Sequence, residues 1–236
     1  SRSLQMRGTA GCQEIRPLTD RFFKKSFYSI SSPLRLATLL IQKAAEHTLT
    51  LYKKPICKLV SMRAQGDVPY YTLETAWTIE AMTQSTTLKW GEKARGMMPK
   101  LVKIADHNKS SDPKRTREIA VLSIVNIIVN TEINKLGKET YHMLTSRFIE
   151  DWLPITVVTD AFLVVYSFLA HLIEKDEIVL KKDGERVLEM LGYIVGKEGI
   201  WKGKNMLELK TRLNKVMSDL GIRILNELYS LNEDRR

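Results

Sequence analysis

The stretch "HNKSSDPKRTREIAVLSIVNIIVN", His107 to Asn130, decides the fold. It joins a basic cluster directly to a long apolar run that is rich in β-branched residues. A strand would alternate polar and apolar positions at a period of two. Here the polar interruptions, Ser123, Asn126 and Asn130, fall three and four residues apart, so the periodicity predicts a helix. Asp112-Pro113 predicts its start, because Asp is a favoured cap and the missing N–H of proline is harmless in a first turn. The pattern predicts an end near Gly137. A helix that is apolar around most of its circumference has to lie between other elements.

The same punctuation organises the rest of the chain. Ser31-Ser32-Pro33 opens an amphipathic run from Leu34 to Tyr52 that is expected to stop before Pro55. After the loop Gly66 to Pro69, the residues Leu73, Ala76, Trp77, Ala81 and Met82 share one helical face. Gly91, Gly96 and Pro99 interrupt the chain, and Leu101, Ile104 and Ala105 predict a short helix ending near His107. Lys138 to Leu153 reads as a helix stopped by Pro154. Ile155 to Glu174 reads as a nearly all-apolar one with Thr156, Asp160, Ser167, His171 and Glu174 on its polar edge. Asp183-Gly184 opens a helix over Glu185 to Val195. Asn205 is expected to cap the last helix, with a break at Gly221. No strand is predicted. The expectation is an all-α chain, with a basic aromatic arm over residues 1–30 and a single helical domain over 31–236.

The apolar helices begin near Pro33, Thr72, Pro113 and Pro154, about 40 residues apart, a period that suggests stacked helical repeats. "LETAWTIEAMTQST", Leu73 to Thr86, and "REIAVLSIVNIIVN", Arg117 to Asn130, each resemble the third helix of an armadillo repeat, in the armadillo/HEAT class. Trp77 stands where that family carries its groove tryptophan. Ala81 replaces the groove asparagine, and Asn126 is offset by one from its expected place. The resemblance covers residues 55 to 195. It implies a short solenoid with a groove lined by the helices of Trp77, Asn126 and Asn130, accepting an extended or helical segment of a protein partner. An irregular multi-helix bundle is the alternative architecture.

Composition narrows the functional classes. The chain has 236 residues, 44% of them apolar, enough for a full core. Its apolar runs are interrupted well short of the roughly 20 residues a membrane span needs, so no membrane insertion is expected. Ser1 to Gly11 show no apolar signal core, which sets the expectation of an intracellular protein, cytoplasmic or nuclear. Cys12 and Cys57 are too isolated for a disulfide framework or a thiolate site. The net charge is +10, unevenly spread. Residues 1–60 hold 11 Lys/Arg against 3 Asp/Glu, whereas residues 121–180 hold 4 against 8. Polyanions should therefore be attracted to the N-terminal part and repelled by the third quarter.

Catalytic patterns are absent from the sequence. His47, His107, His142 and His171 are scattered, and His171 on an apolar helix reads as a satisfied core residue. "GYIVGKEGIWKGK", Gly192 to Lys204, lacks the order of a phosphate-cradling loop. Glu150-Asp151 are sequence neighbours and point to different sides of a helix. Neither an enzyme nor a bound metal or cofactor is expected.

Basic clusters carry the remaining signal. "RFFKKSFY", Arg21 to Tyr28, interleaves Arg21, Lys24 and Lys25 with four rings; "KWGEKARG" brings Lys89, Lys93 and Arg95, and "GIWKGKN" brings Lys202 and Lys204, each beside a tryptophan. Such clusters can pair phosphates and stack bases; the alternative is that the rings pack inward while the cations stay wet. Lys114, Arg115 and Arg117 occupy the first turn of the quoted helix, where cations are disfavoured by about 0.3–1 kcal/mol each at low salt, so together they form a candidate anion site. The sequence thus predicts a non-enzymatic interaction module for a protein segment. The alternative is a basic helical protein that binds RNA or another polyanion, and homo-oligomerisation is open to either.

Overall fold

A computed structural model of the chain describes residues 31–44, 46–63, 72–85, 90–107, 112–175 and 183–233. Among these the fold is all-α: eleven helices and no strand. The expected arm over residues 1–30 lies outside the described residues. The chain falls into two compact units, Ser1–Thr116 and Arg117–Arg236.

The first unit holds α1 (Ser31–Lys43), α2 (Glu46–Arg63), α3 (Thr72–Gln84), α4 (Trp90–Arg95) and α5 (Met98–Asp106). Its central element is α3, which packs against the other four. Ala76, Ile79 and Met82 are wholly buried there, and small polar residues let α1 come close: the Thr38 and Thr78 hydroxyls meet at 3.1 Å. The single helix expected from Leu34 to Tyr52 is instead two, parted near Ala44, and α2 runs straight through Pro55. Proline deprives one carbonyl, that of Leu51, of its helical donor. Leu51 is exposed, while Leu49, Tyr52, Ile56 and Val60 form a continuous buried stripe on either side of the proline, so packing outweighs the lost bond. Lys100 closes the far end of α2, its ammonium donating to the Ser61 carbonyl and hydroxyl, both at 3.1 Å. Gly91, expected to interrupt the chain, lies inside α4, and Pro99 sits in the opening turn of α5.

The quoted stretch forms α6 (Pro113–Val129), as its periodicity predicts. The Arg115 N–H donates to the Asp112 carboxylate at 3.1 Å, the expected cap. Every residue from Glu118 to Ile128 is buried. The helix stops at Val129 rather than near Gly137; a separate turn, α7 (Ile133–Leu136), intervenes, and Gly137 takes a positive φ of 88° before α8 (Lys138–Arg147). A π-helical turn, Phe148–Trp152, follows. The next helix, α9 (Thr159–Glu174), begins four residues later than expected because its leading segment is held out of the helix by Glu118, as described below.

The second unit closes with α10 (Glu185–Gly196) and α11 (Lys204–Glu233). Helix α11 packs on both α9 and α10 through Leu209, Leu213, Val216 and Leu220, spaced four, three and four. Two expectations fail here. Asn205 lies inside the helix rather than capping it, and Gly221 does not break it: that glycine is half-buried with open space around it, and the stripe on either side keeps the helix going. No helix among the described residues is long and apolar enough to cross a membrane.

Candidate functional site

The site is built by fixing the start of α9. Its first N–H groups have no helical acceptors. The buried carboxylate of Glu118, on α6, accepts from the three residues that lead into α9: the N–H groups of Thr156 and Val157 at 2.8 Å and of Val158, the N-cap, at 2.7 Å. The Thr156 hydroxyl adds a longer contact at 3.3 Å. Glu118 therefore fixes the backbone ahead of α9, where an anionic acceptor is favoured by the helix dipole. Upstream, the Tyr166 hydroxyl holds both backbone groups of Ile155.

With α9 so placed, a cleft of about 760 Å³ opens along α6 and α9, with Arg212 of α11 at one wall. Two helical stripes set its polar groups. Asn126 on α6 and Asn130 just past its end are four residues apart, and Ser167 and His171 are four apart on α9, so each pair faces one way. Leu163, Val164 and Phe168 supply apolar wall, and Val129 and Ile133, both exposed, form the lip. Asn126 is nine-tenths buried, and its amide nitrogen is sealed from solvent with no hydrogen-bond partner. A donor left in that state costs about 1–3 kcal/mol, so it is a place where an acceptor is wanted.

At the cleft's end, the Arg212 guanidinium meets Glu174 as a two-pronged pair, Nε to Oε1 at 2.9 Å and Nη2 to Oε2 at 2.6 Å. This hydrogen bonding holds the Glu174 carboxyl below its ordinary range, against the opposing effect of burial, and raises Arg212 in turn. About three turns of α11 further on, Arg223 caps the end of α9 through the Ile173 carbonyl at 3.1 Å. Arg212 and Glu174 also line a second open groove along α11, with Lys204 and Lys215.

The residues expected from sequence are brought together only in part. Asn126 and Asn130 share the cleft. Trp77 is half-buried on α3 in the first unit. His171, expected to be a core residue, is exposed on the cleft wall. Among the cations, Lys93, Lys114, Arg115, Lys202 and Lys204 are exposed and Arg95 and Arg117 half-buried. Lys204 lies 3.9 Å from Glu208. The Nε of Arg117 is sealed without a partner, and the neighbouring Glu118 gives its carboxylate to the backbone ahead of α9. Arg21, Lys24, Lys25 and Lys89 lie outside the described residues. The tryptophans proposed for base stacking are engaged inside the fold: Trp90 is fully buried under Lys53, and Trp201 is half-buried with the Lys210 ammonium 5.8 Å from its ring centre.

Sequence reasoning missed Arg212, Glu174 and Ser167 as site residues. The four-residue spacing of Ser167 and His171 was available as a signal. The pairing of Arg212 with Glu174 had none, since it spans 38 positions. No protein-family model, curated protein or solved structure matches the chain.

Proposed function

We propose that the chain is a non-enzymatic helical interaction module that holds a segment of a protein partner in the cleft of its second unit. The observation that carries this reading is the unpartnered amide of Asn126 in the wall of a cleft whose lip is formed by the exposed Val129 and Ile133. An isolated apolar pair on a surface needs no explanation, but here it borders a concavity whose wall includes a residue with an unsatisfied donor just beneath the surface. A peptide fits this combination, because it offers side chains to the lip and backbone carbonyls to the amide once Asn126 turns outward.

The test is selection of a random dodecapeptide library displayed on phage against the whole protein and against its Val129→Asp variant. Val129 is 60% exposed, so the substitution should not disturb folding. Peptide families enriched by the parent and lost with the variant support the reading. Absence of any enriched peptide refutes it.

The second reading, binding of RNA or another polyanion, draws on the exposed Lys93, Lys114, Arg115, Lys202 and Lys204 and on the net charge of +10. Its signature is retention of a labelled single-stranded RNA that weakens steeply with salt and is relieved by changing these lysines and Arg115 to Gln.

A further inference from the structure

Three features of the cleft bear on the chemistry of its occupant. First, the Glu174 carboxylate engages Nε and Nη2 of Arg212, and Nη1 has no hydrogen-bond partner among the described residues. The guanidinium is thus held rigid from behind with one edge unused. Second, the local charge leans positive: Lys204, Arg212 and Lys215 line the adjoining groove against Glu174 and Glu208. Glu132 is the one acid in the cleft lining, and it is exposed and paired with Lys135 at 3.0 Å. Third, the surrounding sequence is acidic, with 8 Asp/Glu against 4 Lys/Arg over residues 121–180. A polyanion is disfavoured by such a neighbourhood, whereas one carboxylate directed at one arginine is accommodated.

We infer that the cleft selects an acidic peptide segment, in which one carboxylate is taken by the free edge of Arg212 beside His171 and a neighbouring aliphatic side chain lies against Val129 and Ile133. Asn126, whose amide nitrogen is sealed in the unliganded fold, has to turn toward the cleft to donate to a backbone carbonyl between these two anchors. Glu174 backs the guanidinium and competes with the peptide for its charge, and does not itself touch the peptide. This inference rests on the interaction-module reading and adds the sign of the partner's charge and the residue that reads it.

The experiment uses peptides enriched in the library selection, synthesised in pairs with each Glu or Asp replaced by Gln or Asn, and titrated calorimetrically into the parent, Arg212→Gln and Glu174→Gln proteins. In the parent, one such replacement should weaken binding about tenfold, the effect of losing a charge-assisted hydrogen-bonded pair. In Arg212→Gln the same replacement should change affinity less than about twofold, as expected when the partner group is already gone. Glu174→Gln, which removes the ion pair but keeps the guanidinium, should bind the acidic peptide within about threefold of the parent or tighter. The inference is overturned if the enriched peptides bind without any acidic preference, an outcome that leaves the module reading standing. It is also overturned if Glu174→Gln loses binding as fully as Arg212→Gln, because Arg212 would then act only through the fold. If no peptide is enriched, both readings fall together.

Discussion

The hydroxyl of Tyr166 closes both backbone groups of Ile155, accepting from its N–H at 3.1 Å and donating to its carbonyl at 3.0 Å. Both residues are fully buried, and burial pushes the Tyr166 phenol well above its ordinary range. Tyr166→Phe keeps the ring and strands two buried backbone groups. It is expected to lower stability by about 2–4 kcal/mol, read from the urea unfolding midpoint at unchanged slope. A loss below about 0.5 kcal/mol would show that water reaches Ile155 in place of the hydroxyl.

Glu118 offers a sharper case, because one carboxylate satisfies three N–H groups. Glu118→Leu fits the apolar surroundings but abandons all three, and should destabilise the protein by about 3 kcal/mol or more. Glu118→Gln keeps one acceptor oxygen and should lose less. Amide hydrogen exchange at residues 156–158 should quicken in both variants while the exchange of α3 stays unchanged.

The Glu174–Arg212 pair makes a pH prediction with a defined sign. The folded carboxyl titrates below the 4.5 of a free glutamate, chiefly through its hydrogen bonds from Arg212. The unfolded state therefore binds the proton first. The pair's contribution is fully present above about pH 4.5 and is lost as the pH falls through the lower, folded value. Thermal melts of the parent and of Glu174→Gln should differ near neutrality and converge in acid. A constant difference at every pH would assign the effect to packing.

At the start of α6, Asp112→Ala removes the acceptor of the Arg115 N–H and should lower stability by about 1 kcal/mol. Lys114→Gln and Arg115→Gln, at exposed first-turn positions, should leave the melting temperature unchanged or slightly raised at low salt. A lower melting temperature in the double variant would mean these side chains carry structural contacts.

The helices were legible where burial and local pattern agree. The three- and four-residue spacing in Glu118 to Ile128 fixed α6 as a helix, and Asp112 marked its start. Boundaries failed where a distant contact outranks local chemistry. Pro55 does not end α2, because Tyr52 and Ile56 are held on the same buried stripe across it. The four residues after Pro154 carry helix-compatible side chains, yet they stay out of the helix: the N–H groups of Thr156, Val157 and Val158 go to a carboxylate 38 to 40 positions upstream, and that of Ile155 goes to Tyr166. Half the site was visible in the same sense: Asn126 and Asn130 stand out as polar residues in an apolar helix. The amide's lack of a partner, the exposure of His171 and the fork on Arg212 depend on what packs nearby, and no spacing encodes them.

The grip of Glu118 is on backbone N–H groups alone, apart from one long contact to a hydroxyl, and this makes the tolerance for sequence change lopsided. At position 157, where the side chain is 46% exposed, nearly any residue could replace valine over evolutionary time, since each would present the same N–H. Proline is the exception, because it has none to offer. Position 118 enjoys no such latitude. A deep mutational scan should therefore find a permissive, proline-intolerant column at 157 facing a nearly invariant one at 118, two sites joined in space whose substitution patterns would show no covariation at all.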